Sequence, residues 1–119
     1  MKTKKELKEE YKLKKFRIGV FQIRNVVNGK IYVDGSVNLD AIWNRHQAQL
    51  NFGGHVNTTL QKEWNEVGQD NFRFEVLHEI EQKEGENINY EDELKTLKEM
   101  VIEDLRPFEE KGYNKRPKM

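Results

Sequence analysis

Two short apolar runs joined by a polar turn set the frame of this chain. Residues 16–24 (FRIGVFQIR) read as a buried strand and residues 30–33 (KIYV) as a second one. Between them, Asn25 to Gly29 ends on an Asn-Gly pair, the commonest short-range signal for a hairpin turn. Everything else has to pack around that hairpin.

The segments that follow alternate between helical and strand periodicity. Asn38 can cap a helix carrying Leu39, Ile42, Trp43, His46 and Leu50 on one stripe, with Gly53-Gly54 to end it. Asn57 can cap a second helix with Leu60, Trp64 and Val67 on one face, closed by Gly68. Residues 71–80 (NFRFEVLHEI) place Phe72, Phe74 and Val76 on one side of a third strand. An acidic linker, 81–88, leads to a helix from about Tyr90 to Leu105, with Leu94, Leu97, Val101 and Leu105 facing inward and Pro107 as its stop. Residues 3–15 read as a short charged helix, with Glu10 and Lys14 in the favourable i, i+4 order. The order α-β-β-α-α-β-α describes an α+β fold, a sheet with helices packed on it. It divides into a charged N-terminal helix (1–17), one domain (18–114) and a basic tail (115–119).

Charge narrows the function classes. The formal net charge is zero, but residues 1–17 carry 8 Lys/Arg against 3 Glu, while residues 60–114 carry 7 against 16 acidic groups. A duplex-DNA binder usually shows a basic stripe, and the acidic second half opposes tight, non-specific DNA binding. There is no cysteine, so disulfides, thiol catalysis and thiolate-zinc sites are excluded, and a cytoplasmic setting is expected. No apolar run approaches the roughly 20 residues of a membrane span, and no apolar stretch follows the Lys-rich start as in a signal peptide. No membrane partner is expected.

Several linked words within residues 18–114 resemble the GIY-YIG nuclease domain. Gly19-Val20-Phe21 stands where that family has Gly-Ile-Tyr, and Tyr32-Val33-Asp34 where it has Tyr-Ile-Gly, at the family's spacing. Trp43-Asn44-Arg45-His46, the segment LQKEWNEVGQDNFRFEVL, and Gly112-Tyr113-Asn114 are similar to the phage homing-endonuclease branch. The resemblance implies a three-stranded antiparallel sheet flanked by helices. It also implies a division of labour: a tyrosine or its partner as general base, an arginine on the attacked phosphate, and a glutamate holding one divalent metal. Phosphodiester cleavage needs a fixed cation and a metal facing the phosphoryl oxygens, and a base within reach of water.

Carried over position by position, the set is incomplete. Tyr32 is kept. Phe21 keeps the first motif's ring and loses its hydroxyl. Asp34 replaces the second motif's glycine. The family's arginine, ten residues beyond the second-motif tyrosine, falls on Ile42; Arg45 is nearly one helical turn further, about 4.5 Å along the axis. His46 and His55 fall where homing-type members also carry histidine. The metal glutamate falls on Lys98 when the register is anchored on Ile102 and Pro107, and on Glu99 when counted back from Asn114. Losing one transition-state donor alone costs on the order of 10²–10³ in rate.

Each of these residues also has a plainer reading. Tyr32 can be a core aromatic with its hydroxyl at the rim, and His46 a satisfied core histidine. Trp43 and Trp64 are core anchors before they are base-stacking platforms. Lys98 is either a solvated helix lysine or, with Arg45, part of an anion site that uses no metal.

The expectation is therefore a pseudo-nuclease that binds a nucleotide or nucleic-acid ligand in the former cleft, with sequestration of a nucleotide signal as one use. Its retained positions are Tyr32 and His46. Its ligand contacts would be Phe21, Tyr32, Arg45, His46, His55, Lys98 and Asn114. No cofactor is expected, although Glu99 would bind Mg²⁺ or Mn²⁺ if nuclease activity remained. The alternatives are a weak metal-dependent DNA endonuclease and a protein-interaction module. The ligand's identity and the oligomeric state are not written in the sequence.

Overall fold

The structure is a computed structural model describing residues 16–83 and 89–116. The charged helix expected over 3–15, part of the 81–88 linker and the end of the tail lie outside the described residues. Within them, the order is β1 (Ile18–Asn25), β2 (Ile31–Ser36), α1 (Leu39–Phe52), α2 (Thr58–Val67), β3 (Phe72–Ile80) and α3 (Tyr90–Leu105). The three strands form one sheet in the order β2-β1-β3, and both pairings are antiparallel. This is the three-stranded α+β architecture expected from the sequence, with β1 in the centre.

The hairpin forms where the Asn-Gly pair announces it. Gly29 adopts φ 79°, and the Asn25 backbone closes the turn through Lys30 and Gly29. Both expected N-caps act as such: the side chains of Asn38 and Asn57 accept from the backbone N–H of Ala41 and Leu60. Each satisfies an amide that the first helical turn leaves free.

Strand alternation sends neighbouring residues of β1 into two separate cores. Phe21 and Ile23 pack with Leu39, Leu50, Leu60, Trp64, Phe72 and Tyr113, on the face covered by α1 and α2. Val20 packs with Val33 and Val101, and with Leu94, Leu97 and Ile102 of α3, on the other face. The sheet is thus a middle layer, with α1 and α2 on one side and α3 on the other.

Two expected core positions are corrected. Val76 is 37% exposed although it pairs with Phe21 on the same face as Phe72 and Phe74, and the β1–β3 register slips just beyond it, between Val20 and Phe21. That bulge leaves Leu77 without a register partner and packs it against the α3-side core. Leu105 is exposed at the end of α3, and Ile102, one turn earlier, takes the inward place.

The bulge needs Gly19. A Cβ there would lie 2.1 Å from the carbonyl oxygen of His78 on β3, closer than any side chain tolerates. Gly112 is required in the same way. It bridges Ile31 in parallel, and a Cβ would come within 2.5 Å of the carbonyls of Pro107 and Ile31. That close approach ties the C-terminal segment to the start of β2.

Candidate functional site

The site sits on β2, an edge strand, and is assembled from β2, α1, α3 and the loop between α1 and α2. Tyr32 and Asp34 are two apart on β2 and so share one face. The Tyr32 hydroxyl donates to Asp34 Oδ2 at 3.3 Å. Asp34 Oδ1 accepts from the Gly35 backbone N–H at 2.8 Å and faces Lys98 Nζ of α3 at 3.6 Å. Gly35 makes room for this approach, since a Cβ there would press on Leu94, one turn before Lys98.

The strand beneath is held by Asn114. Its side chain accepts from the Val33 N–H and donates to the Val33 carbonyl, each at 2.8 Å. Both ends of the carboxamide are therefore used on backbone between Tyr32 and Asp34. Asn114 thus positions the edge strand.

His46 comes from α1 and His55 from the loop after Gly53-Gly54, and the fold joins them. His46 Nδ1 lies 2.8 Å from His55 Nε2. Both residues are buried, and the Tyr32 ring stands edge-on to each at centroid distances of 5.9 and 5.8 Å. Phe21 flanks His46 from the core side at 5.6 Å. The loop is pinned by Gln61, whose side chain accepts from the His55 N–H and donates to the Leu50 carbonyl. It is pinned again by Asn57, which donates to the Tyr113 carbonyl. His55 is buried because these bonds fold its loop inward. Gln61 was invisible as a site residue, since nothing in its helical spacing marks a glutamine that reaches back to a loop.

Electrostatics follow from the packing. Burial, with Asp34 alongside, pushes the Tyr32 phenol above its ordinary range, so phenolate chemistry at neutral pH is disfavoured. Burial pulls His46 down to about 4, helped by His55 and Arg45 and opposed by Asp34. Burial likewise lowers His55. Both imidazoles are therefore neutral at pH 7.

The remaining candidates separate. Ile42 packs against the α1–α2 core and presents no cation. Arg45 is exposed and forms no hydrogen bond or ion pair among the described residues, though its charge reaches His46. Lys98 faces Asp34. Glu99, expected as a metal ligand in one register, is exposed and lines an outer groove of α3 with Met100, Glu103 and Asp104. One residue along a helix is a turn of about 100°, which takes its carboxylate off the face that Lys98 presents.

A divalent metal does not fit this donor set. Asp34 is already paired with an ammonium, Glu99 faces elsewhere, and no group of three or more His, Cys, Asp or Glu gathers among the described residues. No helix among the described residues is long and apolar enough to cross a membrane.

No family model matches the chain. Over 62 residues it is 36% identical to intron-associated endonuclease 1 of Enterobacteria phage T4, an alignment covering 52% of this chain and 25% of that protein. The chain thus spans about a quarter of that relative's length. Its fold superposes on the catalytic domain of the homing endonuclease I-TevI with a TM-score of 0.69 and 28% identity, over 84% of this chain and 99% of that domain. A mutant form of the same domain gives the same TM-score and identity, over 83% and 93%. Motif words, strand order and superposition agree in likening this chain to the GIY-YIG nuclease domain.

Proposed function

We propose that this protein binds a phosphate-bearing ligand, a nucleotide or a nucleic-acid end, in its former nuclease cleft and does not cut it. One observation carries the reading: Lys98 faces Asp34 at 3.6 Å, and in the register anchored on Ile102 and Pro107 these are the positions where the resemblance implies a metal-holding glutamate and a glycine. An ammonium standing in for a metal-binding carboxylate removes the metal and supplies a cation of its own. Arg45 on α1 adds a second, uncommitted cation. Guanidinium and ammonium together suit a phosphate's charge and geometry. Ile42 in place of the phosphate-facing arginine argues against cleavage, because that position is apolar and packed.

The cleft's wall supports binding in preference to chemistry. Burial weakens both imidazoles as bases and keeps the phenol un-ionised, so these groups offer hydrogen bonds with little drive to abstract a proton. Sequestration of a nucleotide signal is one use of such a site. Thermal-shift titration with a panel of nucleotides and short DNA and RNA tests it. A rise in Tm with at least one of them, reduced by Arg45→Ala and Lys98→Met, is expected. No shift with any member sinks the reading.

A further inference from the structure

The hydrogen bonds around His55 determine which nitrogen of His46 carries the proton. The Asn57 backbone N–H donates to His55 Nδ1 at 3.0 Å. An amide can only donate, so His55 Nδ1 is a bare lone pair, and in the neutral ring the proton sits on Nε2. That Nε2–H points at His46 Nδ1, 2.8 Å away, which must accept. Neutral His46 then carries its own proton on Nε2. His46 Nε2 is buried and has no partner among the described residues. A buried donor left unpaired is costly, on the order of 1–3 kcal/mol, and this ring stands against Tyr32 within reach of the charge of Arg45.

We infer that His55 is a positioning residue, and that the relay Asn57–His55–His46 presents His46 Nε2–H as a hydrogen-bond donor to a phosphoryl oxygen of the ligand, which bars His46 from acting as a general base. A base would need a lone pair at Nε2, and producing it would require every proton in the relay to move back. The Tyr32 ring stands against both imidazoles, so the ligand reaches Nε2 when that ring tilts. Its hydroxyl bond to Asp34 is long, at 3.3 Å, and yields readily. This inference rests on the binding role proposed for the site, but its first half concerns the ligand-free protein alone.

The test is ¹⁵N–¹H correlation spectroscopy of the imidazoles in the labelled full chain at neutral pH. Both histidines are expected as Nε2–H tautomers, with bare Nδ1 nitrogens at clearly different shifts. His55→Ala should average the two nitrogens of His46, and His55→Gln, which keeps an N–H donor, should restore the separation. Should either variant fail to fold, the wild-type spectrum decides. A wild-type His46 protonated at Nδ1, or averaged between tautomers, overturns the relay. Inorganic phosphate and a short single-stranded oligonucleotide are then added. Movement of the His46 Nε2–H signal with those of Arg45 and Lys98 supports the donor role. Movement of Arg45 and Lys98 without His46 overturns that role and leaves the binding site standing. No movement of any of the three rejects the binding site, and the donor role with it.

Discussion

Lys98 of α3 and Asp34 of β2 face each other across the edge of the sheet, Nζ to Oδ1 3.6 Å apart, each side chain about one-third exposed. A pair that wet contributes little to stability, roughly 0–1 kcal/mol. Its importance lies in charge, because it puts a cation beside the strand on which Tyr32 stands.

Reversing that charge should change what the site binds. Lys98→Glu sets two carboxylates against each other, which a divalent cation can bridge. Calorimetry should show Mn²⁺ binding to this variant and none to the wild type. Equal Mn²⁺ binding by both proteins would mean the metal site lies elsewhere.

Lys98→Met separates binding from folding. The urea midpoint should hold within about 1 kcal/mol of wild type, since the pair is solvent-screened. Affinity for a phosphate-bearing ligand should fall about tenfold, the loss of one charge-assisted contact. An unchanged affinity would remove Lys98 from the site.

The histidine pair makes stability pH-dependent in a known direction. In the unfolded chain both imidazoles take up protons near pH 6.5, whereas folded His46 resists until about 4 and His55 is also lowered. Between those values the unfolded state binds more protons, so stability rises with pH. It should be fully present above about pH 6.5 and decline as pH falls toward 4. Denaturant unfolding at stepped pH measures this. His46→Phe should flatten the slope over that window, and an unchanged slope would place the effect on carboxylates.

How much of this was legible beforehand differs by residue. The hairpin, both asparagine caps and the helix-ending Gly53 are local features, and local chemistry sufficed to find them. Val76 keeps the alternation of Phe72 and Phe74 as far as its partner Phe21, and alternation alone does not say how far the helices cover that face. Lys98 and Asp34 were each noticed singly, but 64 positions apart nothing local predicts that they meet. The histidines were also found by position alone; that His55 is buried depends on Gln61 and Asn57 folding its loop. Asn114 is expected as a ligand contact because its motif is terminal and polar, and its bonds to Val33, 81 positions away, are something nothing local predicts.

That assignment of Asn114 is itself open to test. Asn114→Ala removes two 2.8 Å bonds and leaves the Val33 amide and carbonyl to water or to nothing. A loss of about 1–3 kcal/mol is expected by urea unfolding, with Asn114→Asp intermediate because it keeps the acceptor. Full stability in the alanine variant would return Asn114 to the list of ligand contacts.

Gly19→Ala should be the most damaging small change in the sheet. The added methyl meets backbone on β3 and not a side chain that can swing away. A cost of about 3 kcal/mol or more is expected in the unfolding midpoint. A near-neutral effect would mean the β1–β3 bulge is not held as described.

The central claim is that the cleft holds a phosphate-bearing ligand without a metal and without cutting it. The most direct measurement incubates an end-labelled oligonucleotide, single-stranded and duplex, with the protein in Mg²⁺, in Mn²⁺ and in EDTA. Complex is scored on a native gel and strand length on a denaturing one. The account predicts a shifted band of equal intensity in all three conditions and full-length strand recovered from each. Shortened strand in Mg²⁺ or Mn²⁺, or a complex that EDTA abolishes, would contradict it.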